Sequence, residues 1–456
     1  MTEEPSDQVA EELARYLERY PDTAYVDAIF VDLCGIVRGK RYPRAELEKL
    51  FAGGFPIPFS LHFLDVTGAC LDPCGRGFSD GDPDGVARPV PGTLAPVPWA
   101  DRSAGQVLMS LHDADGRPSA VEPRNVAAAV ARRFEALGLR PCLAFELEFF
   151  LIDRERDDRG RPQPPRLPTS GQRERTTQVY GMDTLEELGA LFHDIEHSAA
   201  AQGVPASVAT SEYAPGQYEI NLRHVEDPVL AADHCALLRR VVKAVARRHG
   251  LDATFMSKPF LDQTGNGMHV HASLLDAHGK NVFDDGSPTG SETLRHALGG
   301  LLHTLYDAMA LFAPSLNALR RFGPNLYVPV NRSWGSNNRS VALRIPAGAS
   351  SARRFEHRVP GADANPYLVL AAILAGMHHG ITHRVDPGAP WSGNVCGEVD
   401  PEMPREWAVA LQRFSGSTIL REYLGADYVD LYCATKNAER LRFLEHISRR
   451  EYDWYL

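Results

Sequence analysis

In Gly265-Asn266-Gly267-Met268-His269-Val270-His271-Ala272-Ser273-Leu274, residues of different polarity alternate from Met268 onward. A period of two is that of a half-buried strand, with His269, His271 and Ser273 on one face and Met268, Val270, Ala272 and Leu274 on the other. Two glycines precede it, and backbone without side chains can turn sharply and come close to a ligand. His-x-His on the polar face of a strand is the beginning of a site.

Phe145-Glu146-Leu147-Glu148-Phe149 repeats the pattern with two carboxylates on one face and three large apolar groups on the other. Like charges so placed repel unless a cation lies between or beside them. The plainer reading, an exposed strand edge, fits poorly with such apolar flanks. Glu212 and Glu219 stand on either side of a Pro215-Gly216 turn, and Glu356 lies in Phe355-Glu356-His357-Arg358. Five acids with His269 form a hard, oxygen-rich donor set that suits Mg²⁺ or Mn²⁺ better than structural zinc. Ions of that kind clamp nucleotide phosphates.

A cationic counterpart lies downstream: Arg320, Arg321, Arg332, Arg339, Arg344, Arg353, Arg354 and Arg358. A charge run is usually a solvated face, but these arginines are set among Pro, Gly, Asn and Trp334 rather than on a helical pattern. Guanidinium forks suit phosphates and carboxylates. Arg339 and Arg344 would point to opposite faces of one continuous strand. The spacing therefore predicts Arg339 on the Asn337-Asn338 loop and Arg344 within a strand. With no Walker-type loop, the combination indicates phosphoryl transfer on a non-P-loop scaffold.

Elements to position these residues are legible. A helix is predicted over 8–20, and a strand from Ala24 to Val31 enters a hairpin punctuated by Gly35 and Gly39. A helical stretch over Pro43 to Phe51, a proline-rich extended run over Arg88 to Trp99 and a strand over Gln106 to Leu111 follow. A boundary between about 100 and 115 divides a small β-rich part, 1–105, from a large catalytic part, 106–456. In the latter, helices are predicted over Glu122–Leu137, Asp183–Gln202, Pro228–His249 and Glu292–Leu311. Strands are predicted over Cys142–Leu151 and Tyr213–Leu222, and Arg154–Thr177 reads as an exposed excursion. The class is α+β.

At 456 residues, two domains are the default, and 44% hydrophobic with 23% charged residues is ordinary for a globular chain. A net charge of -11 argues against nucleic-acid and anionic-membrane partners. Seven scattered cysteines suit reduced thiols. The start, Met-Thr-Glu-Glu-Pro, is not a signal peptide, and the apolar run Tyr367–Met377 is too short for a membrane span. A soluble, cytoplasmic protein is expected.

The ordered motifs Glu-x-Glu (146–148), Glu-x-x-Pro-Gly-Gln-x-Glu (212–219), Gly-x-Gly-Met-His-x-His (265–271), Asn-Asn-Arg-Ser (337–340) and Asn365-Pro366-Tyr367 resemble the glutamine synthetase superfamily. The likeness runs from the Asp32–Lys40 hairpin to the terminal Arg450–Leu456. Arg38-Gly-Lys40, Pro89–Trp99, Glu356–Tyr367 and the C-terminal Glu-Tyr-Asp-Trp-Tyr-Leu resemble its γ-glutamylpolyamine (γ-glutamylputrescine) synthetase branch. The resemblance implies a β-grasp N-terminal domain and a catalytic domain with a curved antiparallel sheet. It implies one metal on Glu148, Glu212 and Glu219 and a second on Glu146, His269 and Glu356. ATP contacts fall on His271, Ser273 and Arg344, and glutamate contacts on Gly265, Arg321 and Arg358. Arg339 bridges phosphate and acyl substrate. A homo-oligomer, by resemblance a double-ring dodecamer, is also implied.

The implied reaction joins the γ-carboxyl of glutamate to an amine through γ-glutamyl phosphate, with ATP and Mg²⁺ or Mn²⁺. Arg339 and Arg344 assist transfer, and Glu212 is one choice of base. Ammonia-using members of the family carry a glutamate where this chain has Tyr327, and a tyrosine cannot supply that charge. Tyr327 instead lines the amine channel. The ammonium-site Asp-Gly-Ser-Ser is also absent, with Pro56-Ile-Pro-Phe-Ser60 in its region. Thr264 replaces an asparagine that usually contacts glutamate, and no tyrosine lies between Trp391 and Glu398 to be adenylylated. The alternatives are a glutamine synthetase using ammonia, a γ-glutamyl ligase for a monoamine such as ethanolamine, a metal-dependent hydrolase and a silent relative.

Overall fold

The computed structural model describes residues 5–176, 179–287, 289–324 and 326–456. Met1–Glu4, Thr177 and Asn325, which enter the readings of the chain start, the excursion and the Tyr327 loop, lie outside the described residues. The first sheet holds β1 (Tyr25–Val31), β2 (Val37–Pro43), β3 (Phe55–Pro58), β4 (Asp84–Pro89), β5 (Ala95–Pro96) and β6 (Ala104–His112). Its order is β2-β1-β6-β4-β3, with β5 on β6. Gly35, at φ 77°, makes the turn of the β1–β2 hairpin. β1 and β6 run parallel, so β6 carries this sheet past residue 105 to His112.

The second sheet holds β7 (Arg140–Asp153), β8 (Ala206–Ser211), β9 (Gln217–Leu222), β10 (Leu251–Thr254), β11 (Met268–Leu275), β12 (Trp334–Ser336), β13 (Leu343–Ile345) and β14 (Phe355–His357). Its order is β12-β13-β14-β11-β7-β9-β8, with β10 on β7. Only the β12–β13 pair is parallel; the other pairs are antiparallel. The expected strand over Tyr213–Leu222 begins only at Gln217. Pro215 has no N–H to give a ladder, and Gly216 turns at φ 76°.

Helices cover the apolar face. Phe145, Leu147 and Phe149 are wholly buried on the underside of β7. The helix Pro228–Arg248 begins where Asp227 accepts from the N–H groups of Val229 and Leu230. The apolar run Tyr367–Met377 lies inside the helix Pro366–His383 and is buried throughout. Its N-cap, Asn365, also donates to the Asp32 carbonyl at 2.8 Å, tying this helix to the β1–β2 turn. Tyr367 Oη donates to Asp233, which receives two 2.9 Å bonds from Arg124. Among the described residues no helix is long and apolar enough to cross a membrane.

Candidate active site

Strand register assembles the site. Glu146 lies opposite His269 across β7–β11, and Glu148 lies opposite Glu219 across β7–β9. Glu356 lies opposite His271 across β11–β14 and opposite Arg344 across β13–β14. Directly opposed residues share a sheet face, so neighbouring strands bring these side chains to one surface. Met268 and Val270 go into the core beneath.

His269 joins two acidic groups. Its Nδ1 is 3.4 Å from Glu146 and 3.6 Å from Glu356, and its Nε2 is 4.0 Å from Glu148. Ligand atoms of Glu146, His269 and Glu356 lie within 4.8 Å of one another, as do those of Glu148, Glu219 and His269. Glu212 stands on the turn before β9, its N–H bonded to the Gln217 carbonyl. Burial, and then Glu148, pushes the Glu212 carboxyl up to about 7. Burial, followed by Glu146, Glu148 and Glu212, raises Glu219 well above the carboxylate range. These acids repel one another and call for a cation, so their chemistry fits divalent ions. Burial alone would also raise Glu356, but Arg358, His269 and His271 hold it at about 2.

The arginines divide as their spacing predicts: Arg344 is in β13 and Arg339 in the loop before it. Arg344 Nη1 donates to Glu356 at 2.9 Å, and Arg358 also donates to Glu356. Arg321 is buried, and its terminal nitrogens donate to the carbonyls of Val359, Pro360 and Arg358. The Nε atoms of Arg321, Arg344 and Arg358 are buried without a hydrogen-bond partner among the described residues.

The two glycines serve the chain's own packing. Neither has positive φ among the described residues. A Cβ at Gly265 would strike the Ser257 carbonyl, and one at Gly267 would meet Arg321 Nη2 at 2.7 Å and His269 Nε2 at 2.9 Å. Gly267 N–H also donates to Glu148 at 2.5 Å.

One cavity of 560 Å³ brings together Glu146, Glu148, Glu212, Glu219, His269 and Glu356 with Gly265, Arg321, Tyr327, Arg339, Arg344 and Arg358. Thr264 lines it too, donating to Gln217 at 2.6 Å. Ser273 lines a separate cavity of 350 Å³ with His224, Lys280, Asn281 and Arg354. His271 lies buried between Glu146, 2.8 Å from its Nε2, and Arg354, whose Nε donates to its Nδ1 at 3.1 Å. Arginine can only donate, so Nδ1 accepts and Nε2 carries the proton toward Glu146.

Residue patterns missed several groups. Tyr180 and Tyr213 line the main cavity beside Tyr327, and all three are exposed. They sit on turns without periodicity. His224 lies just beyond β9, and Arg354, one of the downstream arginines, lies just before β14; only the fold makes them neighbours of Ser273. The excursion after β7 also folds back: Glu174 accepts from Gly216 N–H at 2.8 Å, and Arg173 donates to Asp153 at 2.6 Å.

Residues 120–455 match the family described as glutamine synthetase, catalytic domain. The chain is 42% identical over 446 residues to gamma-glutamylputrescine synthetase PuuA of Escherichia coli (strain K12), covering 98% of this chain and 94% of that one. It is 31% identical to a glutamate–isopropylamine ligase of Pseudomonas sp, covering 96% and 95% of the two chains. A solved GmaS/ADP complex superposes with a TM-score of 0.83 at 28% identity, covering 97% and 99%.

Proposed function

The chain belongs to the glutamine synthetase family, and on that premise we propose an ATP-dependent ligase joining the γ-carboxyl of glutamate to an amine, a polyamine such as putrescine. One observation carries the chemistry: an oxygen-rich donor set and Arg321, Arg339, Arg344 and Arg358 face the same 560 Å³ cavity. The PuuA relative and the isopropylamine ligase support an amine as acceptor.

Glutamate takes the γ-phosphoryl group of ATP on its side-chain oxygen, releasing ADP. The amine then attacks the acyl carbon, phosphate leaves, and a γ-glutamyl amide remains. Mg²⁺ or Mn²⁺, held by Glu146, His269 and Glu356 and by Glu148, Glu212 and Glu219, supplies charge neutralisation at the phosphates when bound. Arg339 and Arg344 stabilise the charge that develops during transfer. Gly265, Arg321 and Arg358 orient glutamate, and Arg321 does so while bracing the backbone at 358–360. His271, Ser273 and Arg344 receive the nucleotide, with the 350 Å³ cavity for the part beyond the phosphates.

An alkylamine has a pKa near lysine's, about 10.4, and must lose a proton before attack. Glu212 takes that role on the cavity wall, and Tyr327 lines the amine's approach. A second reading is a monoamine such as ethanolamine. Among the described residues every carboxylate lining the cavity belongs to the ion-holding set, which leaves no lining acid for a second ammonium.

The same proposal divides the chain into an N-terminal β-grasp domain and a catalytic domain, with the boundary after His112 rather than at the expected 105, because β6 belongs to the first sheet. It includes a cytoplasmic homo-oligomer, a double-ring dodecamer. Exposed Leu441, Phe443, Leu444, Ile447 and Trp454 near the C-terminus support burial against a second copy.

The test is ATP-dependent phosphate release with glutamate and putrescine, spermidine, ethanolamine or ammonium. Saturable turnover with an alkylamine well above that with ammonium is expected. Ammonium turnover equal to the best amine would overturn the amine assignment.

A further inference from the structure

A third cavity, of 720 Å³, lies between the β1–β2 turn, Trp99 and the helix Pro228–Arg248. Its lining includes Arg239, Arg240, Lys243, Arg247 and Arg248, against one acid, Asp363. Arg239, Lys243 and Arg247 follow one another at i, i+4 and i+8, which places them on one helix face. Like charges at that spacing destabilise a helix unless something neutralises them.

Most of these cations are engaged. Arg240 is 3.2 Å from Asp27 and donates to Gln106 at 2.8 Å. Arg247 is 3.8 Å from Asp252, and Arg248 donates to the Trp99 carbonyl at 2.8 Å. Arg239 donates to the Ala362 carbonyl, and Asp363 accepts from Ser257 at 2.5 Å. Lys243 has no carboxylate within ion-pair distance among the described residues. Its ammonium lies 5.7 Å from the Phe255 ring centroid.

We propose that this cavity is a binding site for a small oxyanion, a phosphate or a carboxylate, received by Lys243 with Arg239 and Arg247 beside it. The Trp99 indole and Phe255 give the walls an apolar face for the remainder of such a molecule. Lys243 is an exposed residue on the cavity wall, and the chain surrounding its ammonium, with Arg239 and Arg247 adding to it, lowers its pKa to about 8. An anion there would relieve that penalty.

The cavity also abuts the glutamate-binding turn. Thr254 and Met256 line it, and the Asn266 side chain donates to their carbonyls at 3.4 and 2.9 Å. The site therefore lies one hydrogen-bonded residue away from Gly265 and Gly267.

The test is isothermal titration calorimetry of the full chain with inorganic phosphate and, in a second arm, succinate, at constant ionic strength. Saturable binding is expected, weakened about tenfold or more in Lys243→Gln and restored in Lys243→Arg. Read as the component lost in Lys243→Gln, so that binding of either probe in the main cavity cancels, the tighter arm identifies phosphate or carboxylate. Matching thermal melts establish that the variants are folded. No saturable binding in the parent chain, or equal binding in folded Lys243→Gln, would overturn the proposal.

Discussion

Arg344 stands directly opposite Glu356 in the β13–β14 register, and its Nη1 donates to Glu356 Oε2 at 2.9 Å. Its Nη2 donates to Asn337 at 3.3 Å, so the guanidinium also spans to the loop that carries Arg339. A lysine keeps the charge but cannot make both contacts in one plane. Arg344→Lys is expected to keep the thermal midpoint within a few degrees and to reduce kcat about a hundredfold. Undiminished phosphate release from this variant would remove Arg344 from the catalytic set.

Glu148 faces Glu219 across β7–β9, and burial with three neighbouring acids disfavours the Glu219 charge. Glu219→Gln relieves that conflict while weakening the ion-holding set. In chelator the variant should melt about one degree above the parent, corresponding to roughly 1 kcal/mol. Added Mg²⁺ or Mn²⁺ should stabilise the parent and leave the variant nearly unchanged. A full divalent-ion response in Glu219→Gln contradicts the assignment.

Tyr327 is 64% exposed at the mouth of the main cavity, with φ 52°. Glutamate at this position carries the same backbone strain and adds a negative charge beside the entering nucleophile. Tyr327→Glu should shift kcat/KM toward ammonium relative to alkylamines by about tenfold. Competition between the two nucleophiles reads the ratio directly, and an unchanged ratio means residue 327 does not set acceptor choice.

Glu122 is a pH-sensitive element away from the site. Burial pushes its carboxyl up to about 7, although it accepts from Leu111 N–H at 2.8 Å and Ser110 at 3.0 Å. A carboxyl with a folded pKa near 7 and an unfolded one near 4.5 binds a proton more tightly when folded. Its contribution to stability is present below the lower value and is lost as pH rises through the upper one. Glu122→Gln should therefore gain on the order of 3 kcal/mol over the parent at pH 8 and very little at pH 4.5. Urea unfolding at the two pH values checks it, and equal gains at both would rule out titration of this carboxyl as the cause.

The residues themselves determined which side chains share a strand face. Alternation puts Glu146 with Glu148 and His269 with His271 and Ser273 because successive side chains point to opposite sides of a strand. They also placed Arg339 in a loop and Arg344 in a strand, by the same parity. Only the tertiary structure decided the lateral order β13-β14-β11-β7-β9, and with it that Glu356 meets Arg344 and His269 sits between two acidic groups. It alone showed that Arg321 braces the 358–360 backbone, that Tyr180 reaches the cavity, and that Arg354 holds His271. The physical reason is that alternation specifies direction within one strand, whereas neighbours and register come from burying apolar faces of segments far apart along the chain.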